Sequence, residues 1–124
     1  MSRPRILVVD DEQHIVSLLS MTLRKAGYEV ITASNGSKAL ALCEAFAFDL
    51  VILDQAMPGM DGVELASKLA DGLPVLMITA RPQTVQQNTP RIGEVIHKPF
   101  SPREVTAKVE ALIGRGNPPK EQTA

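Results

Sequence analysis

The sequence predicts an α/β domain, a five-stranded parallel sheet with helices on both faces. Three observations predict it. Short apolar runs alternate with longer stretches whose apolar residues fall at helical spacing. One run, Leu50–Leu53, is apolar throughout, as a central strand covered on both faces must be. Five such runs joined by helical crossovers make a parallel sheet clothed on both sides.

Each element has its own local reason. Arg5–Val9 (RILVV) is the first strand. Glu12–Ala26 follows as a helix, with Ile15, Leu18, Leu19, Thr22, Leu23 and Ala26 on one face and Gly27 as its C-cap. Glu29–Thr32 is a short second strand. Ser37–Phe46 is a helix entered through Asn35-Gly36. Leu50–Leu53 is the third strand. Asp61, a good N-cap residue, opens a helix with Gly62 that runs to about Ala70. Pro74–Thr79 (PVLMIT) is the fourth strand. Arg81–Arg91 is the least regular stretch: Pro82, Pro90 and mostly polar residues leave room for one short fourth helix near Thr84–Asn88. Glu94–His97 is the fifth strand. The last helix opens at Ser101 or Pro102 and runs to about Ile113, with Val105, Val109 and Leu112 inward. One domain over residues 1–114 is expected, then a flexible polar tail over 115–124.

Bulk properties narrow the function. A chain of 124 residues, 44% hydrophobic and 22% charged, supports one globular core. The net charge is −1 and no basic block stands out, which argues against direct binding of nucleic acid. Cys43 is the single cysteine, so no internal disulfide forms and a reducing, cytoplasmic setting is expected. The opening MSRPRILVVDDE reaches acids after one short apolar run, unlike a signal peptide or a membrane span. Met1 and the polar tail lead us to expect a stand-alone protein.

The chemistry gathers at strand ends. The first strand runs into Asp10 and Asp11, the third into Asp54, and the fifth into Lys98-Pro99. Ligand sites in open α/β sheets lie beyond the carboxyl ends of the strands. Three acids and one base there suit a divalent cation and a phosphoryl group. As formal charges the four groups sum to about −2, which one divalent cation cancels. The plainer readings are an Asp11 N-cap for the first helix, a loop-capping Asp54, a solvated Lys98 and a Thr79 chosen for strand propensity.

VVDDE at Val8–Glu12, LDQAMPGMDG at Leu53–Gly62, ITA at Ile78–Ala80 and HKPF at His97–Phe100 resemble the receiver domain of bacterial two-component response regulators. The resemblance extends from Arg5 to about Ile113, with all motifs in order. It implies a flavodoxin-like, doubly wound sheet of order 2-1-3-4-5, as in chemotaxis receivers. It implies that Asp54 accepts the phosphoryl group. It implies Mg²⁺ held directly by Asp11 and Asp54, by Asp10 directly or through water, and by the Ala56 carbonyl. Thr79 and Lys98 then serve the phosphoryl oxygens beside Asp54, and the Lys98–Pro99 bond is cis. The phosphodonor is a histidine kinase or a histidine phosphotransfer protein, the switch controls an unspecified output protein, and the chain is a monomer or weak homodimer. No membrane is involved. Such a domain catalyses its own phosphorylation and dephosphorylation but is mainly a signalling switch.

Other residues look structural. Cys43 is expected to pack in the interior, and Met57 and Met60 to pack within the loop after Asp54. His14 and His97 are too isolated to form a metal pair. Val16 is read as solvent-facing on the first helix, the face that docks phosphodonors in the family.

The sequence departs from the family in two places. Val95 stands three residues before the lysine, where receivers usually carry Tyr or Phe that moves inward behind the Thr hydroxyl. The segment between Thr79 and Lys98 is shorter than usual by about one helical turn, so a reshaped output surface is expected. Ala56 and Arg81 occupy positions that in the family tune access of hydrolytic water. A phosphorylation-independent interaction module on the same fold is the alternative. A flavin or nucleotide binder fits less well, because the loop after the first strand is Asp10-Asp11-Glu12 rather than Gly-rich.

Overall fold

The computed structural model of the chain describes residues 3–80 and 92–116, with side chains described as far as residue 113. In chain order the elements are β1 (Arg5–Val9), α1 (Gln13–Lys25), β2 (Glu29–Ala33), α2 (Gly36–Ala45), β3 (Leu50–Asp54), α3 (Gly62–Lys68), β4 (Val75–Thr79), β5 (Glu94–His97) and α4 (Pro102–Gly116). The strands form one sheet of order β2-β1-β3-β4-β5, with every neighbouring pair parallel. The sequence expectation of a doubly wound 2-1-3-4-5 sheet is met. The expected short helix near Thr84–Asn88 falls outside the described residues, as do Arg81 and both prolines of that segment.

Strand alternation divides the core in two. Ile6 and Val8 of β1, Leu50 and Ile52 of β3, Leu76 and Ile78 of β4, and Ile96 of β5 face α1 and α4, where Leu19, Leu23, Val105, Val109 and Leu112 cover them. Leu7, Val9, Val51, Leu53, Val75 and Met77 face the other way, against Ala39, Leu65, Ala66 and Leu69. All of β3 and β4 is buried. The ends of these central strands are therefore held by close packing on both sides. Truncating a side chain such as Ile52 to alanine costs about 2–5 kcal/mol in a site of this kind.

Helix ends account for several boundaries. Asn35 accepts from the Lys38 N–H at 2.9 Å and starts α2. Asp61 accepts from the Glu64 N–H at 2.8 Å and starts α3, as its residue type predicts. At the end of α1 the Tyr28 N–H bonds the Leu23 carbonyl at 3.1 Å, a turn that carries Gly27 at φ +102°, where a side chain is strained. The N-cap of α1 is Glu12, not Asp11, with Ile15 and Val16 N–H groups on the Glu12 carbonyl.

The structure corrects several details. Val16 is 7% exposed and belongs to the buried stripe Val16, Leu19, Ser20 and Leu23, whereas Ala26 is exposed. Ile15, Leu19 and Leu23 of the expected face do pack on the first core cluster, and Val16 is buried in addition to them. Cys43 is half-buried rather than interior, on the edge of the second cluster. Met57 is buried and Met60 half-buried, as expected. α3 stops at Lys68, short of Ala70, and α4 extends to Gly116, so residues 115 and 116 are helical and 117–124 lie outside the described residues.

One close approach fixes the loop after β3. Gly62 donates its N–H to the Gln55 carbonyl at 2.9 Å, and a Cβ at Gly62 would sit 2.6 Å from the Asp54 carbonyl oxygen and 2.9 Å from the Gln55 Cα. Backbone cannot yield as a flexible side chain does. Gly62→Ala should therefore destabilise by about 2–3 kcal/mol, an overpacking penalty. Asp61→Ala should lose about 1 kcal/mol, a cap's worth. Urea denaturation of both variants checks the order; equal midpoints for Gly62→Ala and the parent would show that the loop is free to move.

Candidate functional site

The site stands at the carboxyl edge of the sheet, where four strand ends deliver their side chains. β1 leads into Asp10, β3 ends at Asp54, β4 ends at Thr79, and β5 leads through His97 to Lys98. The sheet's hydrogen bonding continues past the strands, with Asp10 N–H on the Ala33 carbonyl (3.2 Å), Gln55 N–H on that of Ile78 (3.3 Å) and Lys98 N–H on that of Thr79 (2.8 Å). These bonds hold the backbone of the functional residues in register. The Lys98–Pro99 peptide is cis, as the resemblance implied.

Lys98 is the centre of the cluster. Its Nζ lies 3.2 Å from Asp54 Oδ1, 3.2 Å from Glu12 Oε1 and 3.7 Å from Asp10 Oδ2. Asp10, Asp54 and Thr79 are buried; the Glu12 side chain is 49% exposed and that of Lys98 17%. Asp10 Oδ1 also accepts the Glu12 N–H at 2.9 Å, which fixes the carboxylate plane. One ammonium thus serves three carboxylates, and the local sum is about −2 as formal charges.

Burial first, and neighbouring charge after it, shift the ionisation of the acids. Burial pushes Asp10 up from 3.8 to about 6; the Glu12 N–H opposes the rise and the Asp54 charge adds to it. Burial likewise raises Asp54, against the pull of the Lys98 charge and hydrogen bond and of the Ala56 N–H. Lys98 is also raised: burial works against its charge, but Asp10 and Asp54 outweigh burial. Asp10, Glu12 and Asp54 each offer a carboxylate oxygen within 4.8 Å of the others. The buried Asp10 and Asp54 among them, hard oxygen donors with surplus negative charge, fit a small divalent cation, the group the resemblance implied.

The structure distributes the expected site residues over two adjoining regions. Asp10, Asp54 and Lys98 meet in the cluster just described. Asp11 is exposed and does not join the close triad, but its charge is felt at Asp54. Asp11, Ala56 and Thr79 line an open cavity of about 680 Å³, together with Gln55, Met57 and Asp61. The cavity opens next to Gln55, the residue that follows Asp54 in the chain. His14 and His97 are exposed, and the carboxylate cluster includes neither.

Sequence reasoning missed two residues. Glu12 is expected only as the start of a helix and as one acid of the Asp10-Asp11-Glu12 loop, not as a partner of Lys98; its position as the third acid of that run is the available signal. Gln55 Oε1 accepts the Val63 N–H at 2.9 Å and ties the start of α3 to the end of β3. No sequence pattern announced that bond.

Comparison with known proteins agrees with this geometry. The family model described as "Response regulator receiver domain" matches residues 6–110. The chain is 43% identical over 117 residues to the alkaline phosphatase synthesis transcriptional regulatory protein PhoP of Bacillus subtilis, covering 90% of this chain and 49% of that protein. It is 40% identical to the transcriptional regulatory protein ResD of the same organism, over 91% of this chain and 49% of that one. The chain therefore spans about half the length of these relatives. Among solved structures it is similar to the response regulator TrrA of Thermotoga maritima, crystallised with Mg²⁺–BeF, at 37% identity and TM-score 0.82, over 88% of this chain and 98% of that one. It is also similar to the chemotaxis protein CheY4 of Vibrio cholerae, at 32% identity and TM-score 0.83, over 90% and 99% of the two chains.

The ionisation of Asp10 has a consequence for stability. The folded chain prefers this carboxyl protonated, so its contribution is fully present below pH 3.8 and is lost as pH rises through about 6. Asp10→Asn should therefore stabilise the metal-free protein at pH 7.5 by about 1–2 kcal/mol, half or so of the full linkage value. The gain should vanish at pH 4. Thermal melting in a chelator at the two pH values checks it; a loss of stability at pH 7.5 would contradict the charge argument.

Proposed function

The chain belongs to the response regulator receiver domain family, and from that premise we propose that it accepts a phosphoryl group on Asp54 with Mg²⁺. The observation that carries the reading is the Asp54 carboxylate held 3.2 Å from the Lys98 ammonium at a buried strand end, beside an open cavity that Thr79 lines. The likeness to a response regulator crystallised with Mg²⁺–BeF supports the same reading.

An Asp54 oxygen attacks the donor's phosphorus in line. The Asp54 O–P bond forms as the donor's N–P bond, or the O–P bond of an acyl phosphate, breaks, and the donor keeps the electron pair. Such transfers depend on positioning and on neutralising the phosphoryl oxygens. Lys98 takes one of those oxygens with its charge, and the Thr79 hydroxyl donates to another. Asp10, Asp11, Asp54 and the Ala56 carbonyl would hold Mg²⁺. When bound, the ion offsets the charge of the acids and of the incoming phosphoryl group.

The donor is a histidine kinase or a phosphotransfer protein in the cytoplasm. The added charge shifts an existing equilibrium between resting and active forms and so controls a partner. Val95 is half-buried on β5, opposite Met77 of β4, and packs with the second core cluster. The switch therefore works without an aromatic ring at this place. No helix among the described residues is long and apolar enough to cross a membrane. The receiver unit is taken as residues 1–114.

Incubation with acetyl phosphate tests the proposal. A phosphorylated species should form with Mg²⁺, fail to form in EDTA, and be lost in Asp54→Asn, read by phosphate-affinity electrophoresis. Labelling that survives Asp54→Asn, or that ignores Mg²⁺, would contradict it. Absence of labelling from both acetyl phosphate and a phosphorylated histidine donor would favour the interaction module.

A further inference from the structure

Lys98 has three anionic partners, and they are not equivalent. Asp54 is fixed by its strand and is 5% exposed. Asp10 is 3% exposed and its Oδ1 is occupied by the Glu12 N–H. The Glu12 carboxylate approaches Nζ as closely as Asp54 does, at 3.2 Å, but on a half-exposed side chain. Glu12 is thus the partner with freedom to leave. A half-exposed ion pair is weak enough to be exchanged. An ammonium is a compact charge on a flexible stem, able to redirect its three donors without leaving the site.

Resting on the phosphoryl-accepting reading above, we propose that Glu12 is a positioning residue for Lys98, holding its ammonium at the rim of the site in the unphosphorylated protein and yielding it to a phosphoryl oxygen on Asp54. Two consequences follow from the charges. The Glu12–Lys98 pair stabilises the resting form, because it is made there and broken on phosphorylation. The freed Glu12 carboxylate then faces a phosphoryl group of its own sign. Both effects oppose the phosphorylated form, so Glu12 sets how far the equilibrium lies toward it. Glu12 acts here through Lys98 and not as a ligand of the cation.

Calorimetric titration of the whole chain with beryllofluoride, a phosphoryl stand-in, at saturating Mg²⁺ tests this, beside a titration with Mg²⁺ alone. Glu12→Gln keeps the length of the side chain and removes its charge; it should bind beryllofluoride about three- to fivefold more tightly, the exchange of one exposed ion pair. Its affinity for Mg²⁺ alone should change less than threefold. Glu12→Asp keeps the charge but withdraws the carboxylate from Nζ, and should also tighten beryllofluoride binding, about twofold or more. A tenfold loss of Mg²⁺ affinity in Glu12→Gln would make Glu12 a cation ligand and overturn the proposal. Unchanged beryllofluoride affinity in Glu12→Gln would overturn it too, as would tightening in Glu12→Gln but not in Glu12→Asp, which would assign the effect to bulk charge. Failure of the parent chain to bind beryllofluoride at saturating Mg²⁺ would overturn the receiver chemistry itself, and this proposal with it.

Discussion

An excess of buried negative charge, gathered around one ammonium, is the constraint on which the site depends. Lys98 cannot neutralise Asp10, Glu12 and Asp54 together, although it lies within 4 Å of all three. Asp10, raised first by its burial and then by the Asp54 charge beside it, holds its proton to about pH 6. Such an arrangement is unfavourable by itself and persists because the rest of the fold compels it. On the proposed reading the same discomfort is what draws a cation, and after it a phosphoryl group, to Asp54.

The fold compels it through the central strands. β3 and β4 are buried along their whole length, and each packs against a separate apolar layer on each face. A carboxylate at the end of such a strand cannot retreat without disturbing both layers. The loop after Asp54 is equally constrained, by the close approach of Gly62 to the Asp54 carbonyl and by the Gln55 side chain that caps α3. Rigid placement of the acids thus comes from interior packing, while the adjustable partners, Glu12 and Lys98, come from the rim. Position and response are divided between different residues.

Much of this was legible in the sequence. Strands with continuous apolar runs and helices with clear caps are set by local physics, so Arg5–Val9, Glu94–His97 and the Asp61 cap fall where residue types place them. The acids at strand ends followed from the same runs. The strand order needed the family resemblance, because crossovers alone do not choose among parallel orders. What was not legible depended on tertiary contact. Val16 is buried against expectation, and Ala26 is exposed because it lies at the C-cap, past the last residue of α1. Glu12 joins the site because Lys98, 86 residues away in the chain, arrives beside it. Asp11 instead remains exposed at the edge of the cavity. No local pattern distinguishes these two neighbouring acids.

Thermal denaturation of the parent chain across a Mg²⁺ series, at constant ionic strength and pH 7.5, shows directly whether the acids at the sheet edge hold a cation. A cation that binds the folded state through these carboxylates raises the melting temperature by mass action. The melting temperature should rise saturably with Mg²⁺, and the rise should be strongly reduced in Asp54→Asn. A melting temperature indifferent to Mg²⁺, or a rise that the variant shares in full, would contradict the claim that the carboxylates at the sheet edge are assembled to hold a cation.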